Sequence, residues 1–492
     1  MVSSTSSEAE QNSDRSGVAR TSRLTIFAFL WACQALVHQE FYSSWLHEHD
    51  PLGWLVTIFG VATLLRPSSL VLFGSLLVSS ICYNIAKWPF VVNHILLETL
   101  INFTILSALL QSWLVTRKQI HTDWEFRENV YSRFAPVVWT ALVIVYGFAF
   151  LAKLNWDFVS PDVSCVVKMY GDLLRRFPFL PSSPTAYWLV IASTLLVEAL
   201  IPLLLAFRRT RVWGVAIGVS FHFVLGLVGH RTFSGLAYVL YSLALMNQLI
   251  PMVDHYRRSL SNFFSPKIRA FLFPAFATSV VCVVFSLIAA DLNGYFREKI
   301  LVIKVYQLPW LIWIGWSLGI GLFYSIAVIF HRESHATSLS AHSVRPGFSW
   351  AVIGLVALNG LSQYLGFKTE TCFTMYSNLR TEGQWNNHMF MPALRLASYQ
   401  EDLVEIVATN HPQLKDYLEH RDLITYFELR RIVNKTDADF QLTYIHNGQQ
   451  QEFQQKGRTR RSTQDIGPHP LLLGKVLYFR PVSTEECVSC RH

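Results

Sequence analysis

The sequence predicts an all-α polytopic membrane bundle of about eleven transmembrane helices, followed by a small C-terminal α+β extramembrane domain. Three observations predict it. Of 492 residues, 52% are hydrophobic and only 15% are charged, where an ordinary soluble domain carries about a quarter charged residues. The apolar residues gather into runs close to the ~20 needed to cross a bilayer. From residue 368 onward the runs stop, and short alternating and helical patterns take over.

Residues 1–23 are polar and Ser-rich and read as a disordered leader. No cleavable signal peptide is legible, because the first apolar run begins only near Leu24. Candidate spans then lie near 24–39, 53–65, 69–86, 92–115, 135–152, 185–207, 212–229, 232–251, 270–290, 306–330 and 348–366. The second is short enough to be re-entrant. Domain bounds follow: 24–250 and 251–367 for two sets of membrane helices, 368–492 for the soluble domain.

Lys and Arg concentrate in alternate loops. One side holds Arg15, Arg20 and Arg23, then Arg208, Arg209 and Arg211, then Arg257, Arg258, Lys267 and Arg269; the other is sparser, with Lys87, Lys153 and Lys168 among its members. The positive-inside bias places the N-terminus in the cytoplasm and the last domain outside. The net charge of +8 is thus an orientation signal, and no nucleic-acid partner is expected.

In the last domain, Leu403 to Val407 reads as a strand and Pro412 to Asn434 as one helix. Asp439 to Phe453 reads as a hairpin turning at Asn447-Gly448, and Val476 to Phe479 as another strand.

Polar groups inside a bilayer are expensive and mark function by default. His94, Glu98 and Asn102 recur every fourth residue and share one helix face, with Asn93 just outside it. Lys153 and Asn155 end the fifth span, Glu198 lies in the sixth and His222 in the seventh. The topology puts His94 and Lys153 at similar depth on the same side. A snorkelling anchor is the commoner reading of a lysine at a helix end; interhelical glue competes for Glu198 and His222.

The run Tyr146-Gly147-Phe148-Ala149-Phe150-Leu151-Ala152-Lys153-Leu154-Asn155-Trp156-Asp157-Phe158 resembles the Lys-containing motif of the vitamin K-dependent gamma-glutamyl carboxylase family. The membrane part of that family is the horizontally transferred transmembrane (HTTM) domain. Lys153, Leu154, Asp157 and Phe158 fill the motif. Trp88 with Asn93-His94, Phe221-His222 and Phe233-Ser234 resemble its other segments, in the same order, across 24–250. Phe373 to Asn386 is similar to the start of the outer domain in bacterial HTTM-type proteins, which implies a bacterial member in an inner membrane.

The resemblance implies Lys153 as the base toward a reduced quinone such as vitamin K, with His94 stabilising negative charge. Asn93, Glu98, Asn102, Asp157, Glu198 and His222 would line the pocket. It implies a lipid bilayer and a lipophilic small molecule as partners, and a protein substrate where a glutamate is carboxylated. The sequence departs from the family. Ala152 stands where the animal enzyme has a second lysine, Asn155 replaces an acidic residue, and no glutamate-substrate or propeptide-binding segment is legible. The expected reaction is therefore oxidation or epoxidation of a quinone, with or without carboxylation, of the carbon–carbon lyase or quinone-epoxidase type. A non-catalytic scaffold or lipid-binding module and a quinone-coupled thiol oxidoreductase are the alternatives.

The thiol alternative rests on Cys487 and Cys490, whose spacing suits a disulfide, a redox pair or half a metal site. Cys165 and Cys372 are expected on the same side. His38, His47 and His49 with Glu40, Glu48 and Asp50 read as a polar interfacial loop, so no metal is expected.

Overall fold

The computed structural model describes residues 20–42, 48–116, 122–263, 265, 268, 308–330, 347–457, 459–487 and 490. The expected disordered stretch before residue 20, the span at 270–290 and His47 lie outside them. The described chain is mostly helical and forms two compact units, one from 1–79, 105–135 and 238–339, the other from 80–104, 136–237 and 340–492.

Among the described residues, six helices are long and apolar enough to cross a membrane. They are α3 (Leu70–Lys87), α4 (Asn93–Thr116), α5 (Asp123–Ala152), α8 (Pro184–Ala206), α10 (Arg231–Phe263) and α11 (Leu308–Phe330). Helices α2 (Pro51–Leu65), α9 (Arg211–Leu227) and α12 (Phe348–Leu361) are apolar but shorter. Helix α1 (Arg23–Tyr42) has the length but not the composition, carrying Arg23, Gln34, His38, Gln39 and Glu40. Two short helices, α6 (Trp156–Val159) and α7 (Cys165–Arg176), follow α5.

Local chemistry sets the ends. Asp50 accepts the Leu52 N–H at 2.9 Å ahead of Pro51, and Ser183 accepts that of Ala186 at 3.2 Å ahead of Pro184. An N-cap oxygen followed by a proline that has no N–H to lose is a strong helix start.

The first unit is held by aromatic packing. Phe27 stacks on Trp31 and packs against Phe134, and Tyr238 lies flat on Trp313 at 5.4 Å. Arg23 pairs with Glu128 at 2.5 Å.

The second unit holds every site residue named above from Asn93 onward, together with the C-terminal domain. In it Gly360 of α12 is a close-approach position: a Cβ there would collide with the Phe148 ring of α5. The C-terminal domain carries a five-stranded antiparallel sheet in the order β2-β1-β3-β4-β5. The strands are β1 (Leu403–Thr409), β2 (Leu423–Thr425), β3 (Phe440–His446), β4 (Gln449–Lys456) and β5 (Thr459–Ser462). Val404, Ile406, Leu414, Ile424, Leu429, Leu442, Tyr444 and Phe453 bury one face under helices α13 (Pro412–His420) and α14 (Tyr426–Lys435). The hairpin turns at Asn447-Gly448, both with positive φ, as a two-residue turn of this kind requires.

Two expectations fail here. Pro412 to Asn434 is not one helix. Arg421 takes the left-handed conformation at φ 54° and ends α13; Leu423–Thr425 then joins the sheet, and Thr425 caps α14 by accepting the Glu428 N–H at 3.3 Å. The helical spacing of Ile424 is supplied by a strand residue, since both elements bury into the same core. Val476 to Phe479 is not a strand either. Val476 closes helix α15 (Leu471–Val476), and the residue that pairs with Leu423 is Val482.

Candidate functional site

Lys153 follows the last residue of α5 and is 4% exposed. Its Nζ lies 2.9 Å from Glu198 Oε2 on α8, and donates to the carbonyls of Met375 at 2.8 Å and Ala149 at 3.3 Å. The Phe158 ring is 5.9 Å away. Two carbonyl hydrogen bonds and one carboxylate contact therefore surround the ammonium. The structure thus brings Lys153 and Glu198 together as a buried ion pair.

The Met375 carbonyl belongs to a segment that closes over this end of the helices. Thr371 Oγ1 donates to the Val91 carbonyl at 3.0 Å, and Asn93 Oδ1, at the start of α4, accepts the Phe373 N–H at 2.5 Å. Tyr376 packs on His230, with ring centroids 4.3 Å apart. Asn155 Nδ2 donates to the Ser377 carbonyl at 2.5 Å, and Asn378 Oδ1 accepts the Cys165 N–H of α7 at 2.8 Å. One segment therefore joins the start of α4, beside His94, to the end of α5, at Lys153. It does so at a conformational cost. Thr371, Phe373, Tyr376 and Asn378 all have positive φ, at 59°, 61°, 51° and 56°. Left-handed backbone is rare at non-glycine residues, is an outlier for a β-branched one, and clusters at functional sites.

The other predicted residues divide. His94 is buried, with its ring 6.4 Å from that of Phe233. Phe233 also touches His222, at 5.3 Å. His222 is fully buried: its Nε2 meets the Tyr146 hydroxyl and its Nδ1 the Ser234 hydroxyl, the latter at 3.0 Å. Glu98 and Asn102 converge on Ser80 of α3, whose hydroxyl donates to Glu98 Oε1 at 2.8 Å and accepts from Asn102 Nδ2 at 3.0 Å. They form an interhelical clasp, and Asn84 with Thr99 forms a second at 3.0 Å.

Asp157 and Asn155 have positioning roles. Asn155 Oδ1 caps α6 through the Phe158 N–H at 2.8 Å, and Asp157 Oδ2 accepts from Asn387 Nδ2 at 2.8 Å. His388 donates from Nε2 to the Leu151 carbonyl at 2.9 Å, while its Nδ1 accepts the N–H groups of Phe390 and Met391. Burial lowers its pKa, against the opposing hydrogen bond to the Leu151 carbonyl.

Cys487 and Cys490 do not pair with each other. Cys490 is joined to Cys165 at the start of α7, and Lys168 Nζ donates to the Cys490 carbonyl at 2.8 Å. Cys487 is a free, exposed thiol. The partner was out of sequence reach, 325 residues away. Among the described residues no His, Cys, Asp and Glu group could hold a metal ion.

Ser80, Tyr146 and Met375 were not singled out as site residues. Ser80 looks like an ordinary small residue in a span, and a backbone carbonyl has no sequence signature. A separate cavity of about 330 Å³ in the same unit is lined by Phe90, Tyr417, Glu428, Arg431, Lys435 and Tyr478, among others, and shares no lining residue with the surroundings of Lys153.

No family model, curated protein or solved structure matches the chain.

Proposed function

We propose that this chain is an HTTM-type, gamma-carboxylase-like membrane enzyme in which Lys153 takes a proton from a reduced quinone or similar lipophilic hydroxy compound. The observation that carries the reading is the Lys153–Glu198 ion pair, 2.9 Å across and buried beneath the strained 371–378 segment. An ammonium with three acceptors has no lone pair. The proposed base forms when Lys153 passes one proton to Glu198, which a low-dielectric site permits because it disfavours two separated charges. The substrate hydroxyl then replaces the Met375 carbonyl at Nζ, which requires the 371–378 segment to shift. His94 would stabilise the resulting anion.

The full topology belongs to the same proposal: about eleven passes, N-terminus in the cytoplasm, and the C-terminal domain outside a bacterial inner membrane. The Lys and Arg bias supports it.

The test is purified protein in lipid vesicles with chemically reduced vitamin K and oxygen. Quinone epoxide should form, and Lys153→Ala should lower its rate ~10²-fold or more, the scale of a lost general base. Equal epoxide formation by Lys153→Ala removes the lysine from the chemistry. Labelled carbon dioxide and a glutamate peptide test the carboxylation arm separately.

A second reading, a non-catalytic scaffold or lipid-binding module, is favoured by a specific observation. His222 engages both ring nitrogens with neighbouring helices, and Glu98 and Asn102 are spent on Ser80. Absence of quinone binding by intact protein, with stable capture of a protein partner, would select it.

A further inference from the structure

Helix α15 and the loop between α3 and α4 present exposed apolar side chains. Leu471 and Leu472 are each 87% exposed and Val476 is 54% exposed; Leu473, Phe90 and Val92 are exposed as well. Single exposed leucines need no explanation, but a contiguous group does.

Its position says what covers it. Lys475 Nζ donates to the Trp88 carbonyl at 3.0 Å, and Phe90 packs edge-on against Tyr478 at 5.1 Å. Trp88 and Phe90 lie in the loop that leaves α3 at Lys87 and enters α4 at Asn93, and both helices are long and apolar enough to span a bilayer. The group therefore lies where two such helices end, at the level where hydrocarbon meets water. Leu471 and Leu472 stand four and three positions before Lys475, so they share its side of the helix. On the same two helices, Ile85 of α3 and Phe103 of α4 are exposed apolar side chains as well. Three lysines surround it. Lys475 is one, Lys435 Nζ lies 5.0 Å from the Phe90 ring, and Lys87 Nζ lies 4.7 Å from the Tyr83 ring. Leucine and aromatic side chains beside a lysine rim are the composition of a lipid-interface surface.

We propose that Phe90, Val92, Leu471, Leu472, Leu473 and Val476 form a membrane-insertion surface by which the C-terminal domain rests in the interface of an anionic lipid bilayer. The leucines enter the boundary between headgroups and acyl chains, and Lys87, Lys435 and Lys475 sit at the level of the lipid phosphates. The proposal rests on α3 and α4 crossing the membrane and is independent of any role for Lys153.

The experiment places a nitroxide at Leu472→Cys in full-length protein whose free cysteines are replaced by Ala, with the Cys165–Cys490 disulfide kept. The protein is reconstituted in vesicles of mixed phosphatidylglycerol and phosphatidylcholine. Collision with oxygen, which partitions into lipid, is compared with collision with a water-soluble nickel chelate. Leu196→Cys, exposed on α8, and Arg461→Cys, exposed on β5, are the references. The oxygen-to-nickel ratio at 472 should be several-fold above that at 461 and approach that at 196. A ratio at 472 equal to that at 461, with 196 still lipid-like, overturns the insertion surface alone. A water-like 196 removes the membrane-spanning premise and the proposal with it. Replacing phosphatidylglycerol by phosphatidylcholine should lower the ratio at 472; an unchanged ratio overturns the anionic part.

Discussion

Two of the buried acid–base pairs in the second unit are built to opposite ends. Lys153 and Glu198 meet at 2.9 Å between α5 and α8. Arg431 and Glu428 meet at 2.8 Å within α14. The arginine pair is overdetermined. Arg431 Nη1 bridges both oxygens of Glu428, its Nη2 donates to the Gly474 and Leu477 carbonyls, and Glu428 Oε1 also accepts the Phe479 N–H at 3.0 Å. A guanidinium does not release its proton in a protein, so this pair serves only to fasten α14 to the 474–479 segment. The lysine pair joins two helices through one contact and is closed from above by a single carbonyl of a strained segment. An ammonium can release its proton, and the proposed chemistry requires the closing carbonyl to give way to substrate. The difference is what separates a rivet from a candidate reaction centre.

The sharpest way to break the comparison is to remove each cation. Lys153→Ala should cost ~10²-fold or more in epoxide formation, whereas Arg431→Met should leave the chemistry of folded protein unchanged. Arg431→Met should instead destabilise the C-terminal domain by about 3–5 kcal/mol, the usual cost of a buried charge left without its partner, read by denaturant unfolding. If Arg431→Met abolishes turnover in protein that remains folded, the two pairs are not functionally distinct.

The next effect is a pH dependence. Burial pushes the Glu428 carboxyl up to about 7, with Arg431 pulling the other way. Its folded value lies above its unfolded one, so between about pH 4.5 and 7 the native state holds more protons than the unfolded chain. Stability from this group then falls as pH rises through that window and levels off above it, by up to about 3 kcal/mol. Exchange protection of the Phe479 amide, corrected for intrinsic rate, should follow this slope, and Glu428→Gln should flatten it. A slope unchanged in that variant assigns the titration elsewhere.

A smaller effect tests the clasp on α3 and α4. Ser80→Ala removes the hydroxyl that Glu98 and Asn102 share in a buried position and should cost about 1–3 kcal/mol, with the epoxide rate of folded protein unchanged. The smallest is Thr425→Ala, which removes the cap of α14 and should cost about 1 kcal/mol. Both are read as shifts in unfolding midpoint.

Much of the architecture was legible. The apolar runs identify α3, α4, α5, α8, α10 and α11, because a span must be long and uncharged wherever it packs. Asn447-Gly448 announces its hairpin because few residue pairs tolerate two positive φ angles. The four-residue spacing of Glu98 and Asn102 correctly puts them on one face, and both reach the same hydroxyl. The break at Arg421 was not legible, since helix and strand share the core that the apolar residues report.

By itself, then, the sequence determined the helices long and apolar enough to cross a membrane, the hairpin of the terminal sheet and the identity of the buried polar side chains. Tertiary structure alone decided their partners: Glu198 for Lys153, Ser80 for Glu98, Cys165 for Cys490 and the Met375 carbonyl above the lysine. The physical reason is range. Periodicity reports which residues share a face of one element, while these partners stand on other elements, up to 325 residues away. The decisive one is a backbone oxygen, which every residue carries and no sequence distinguishes.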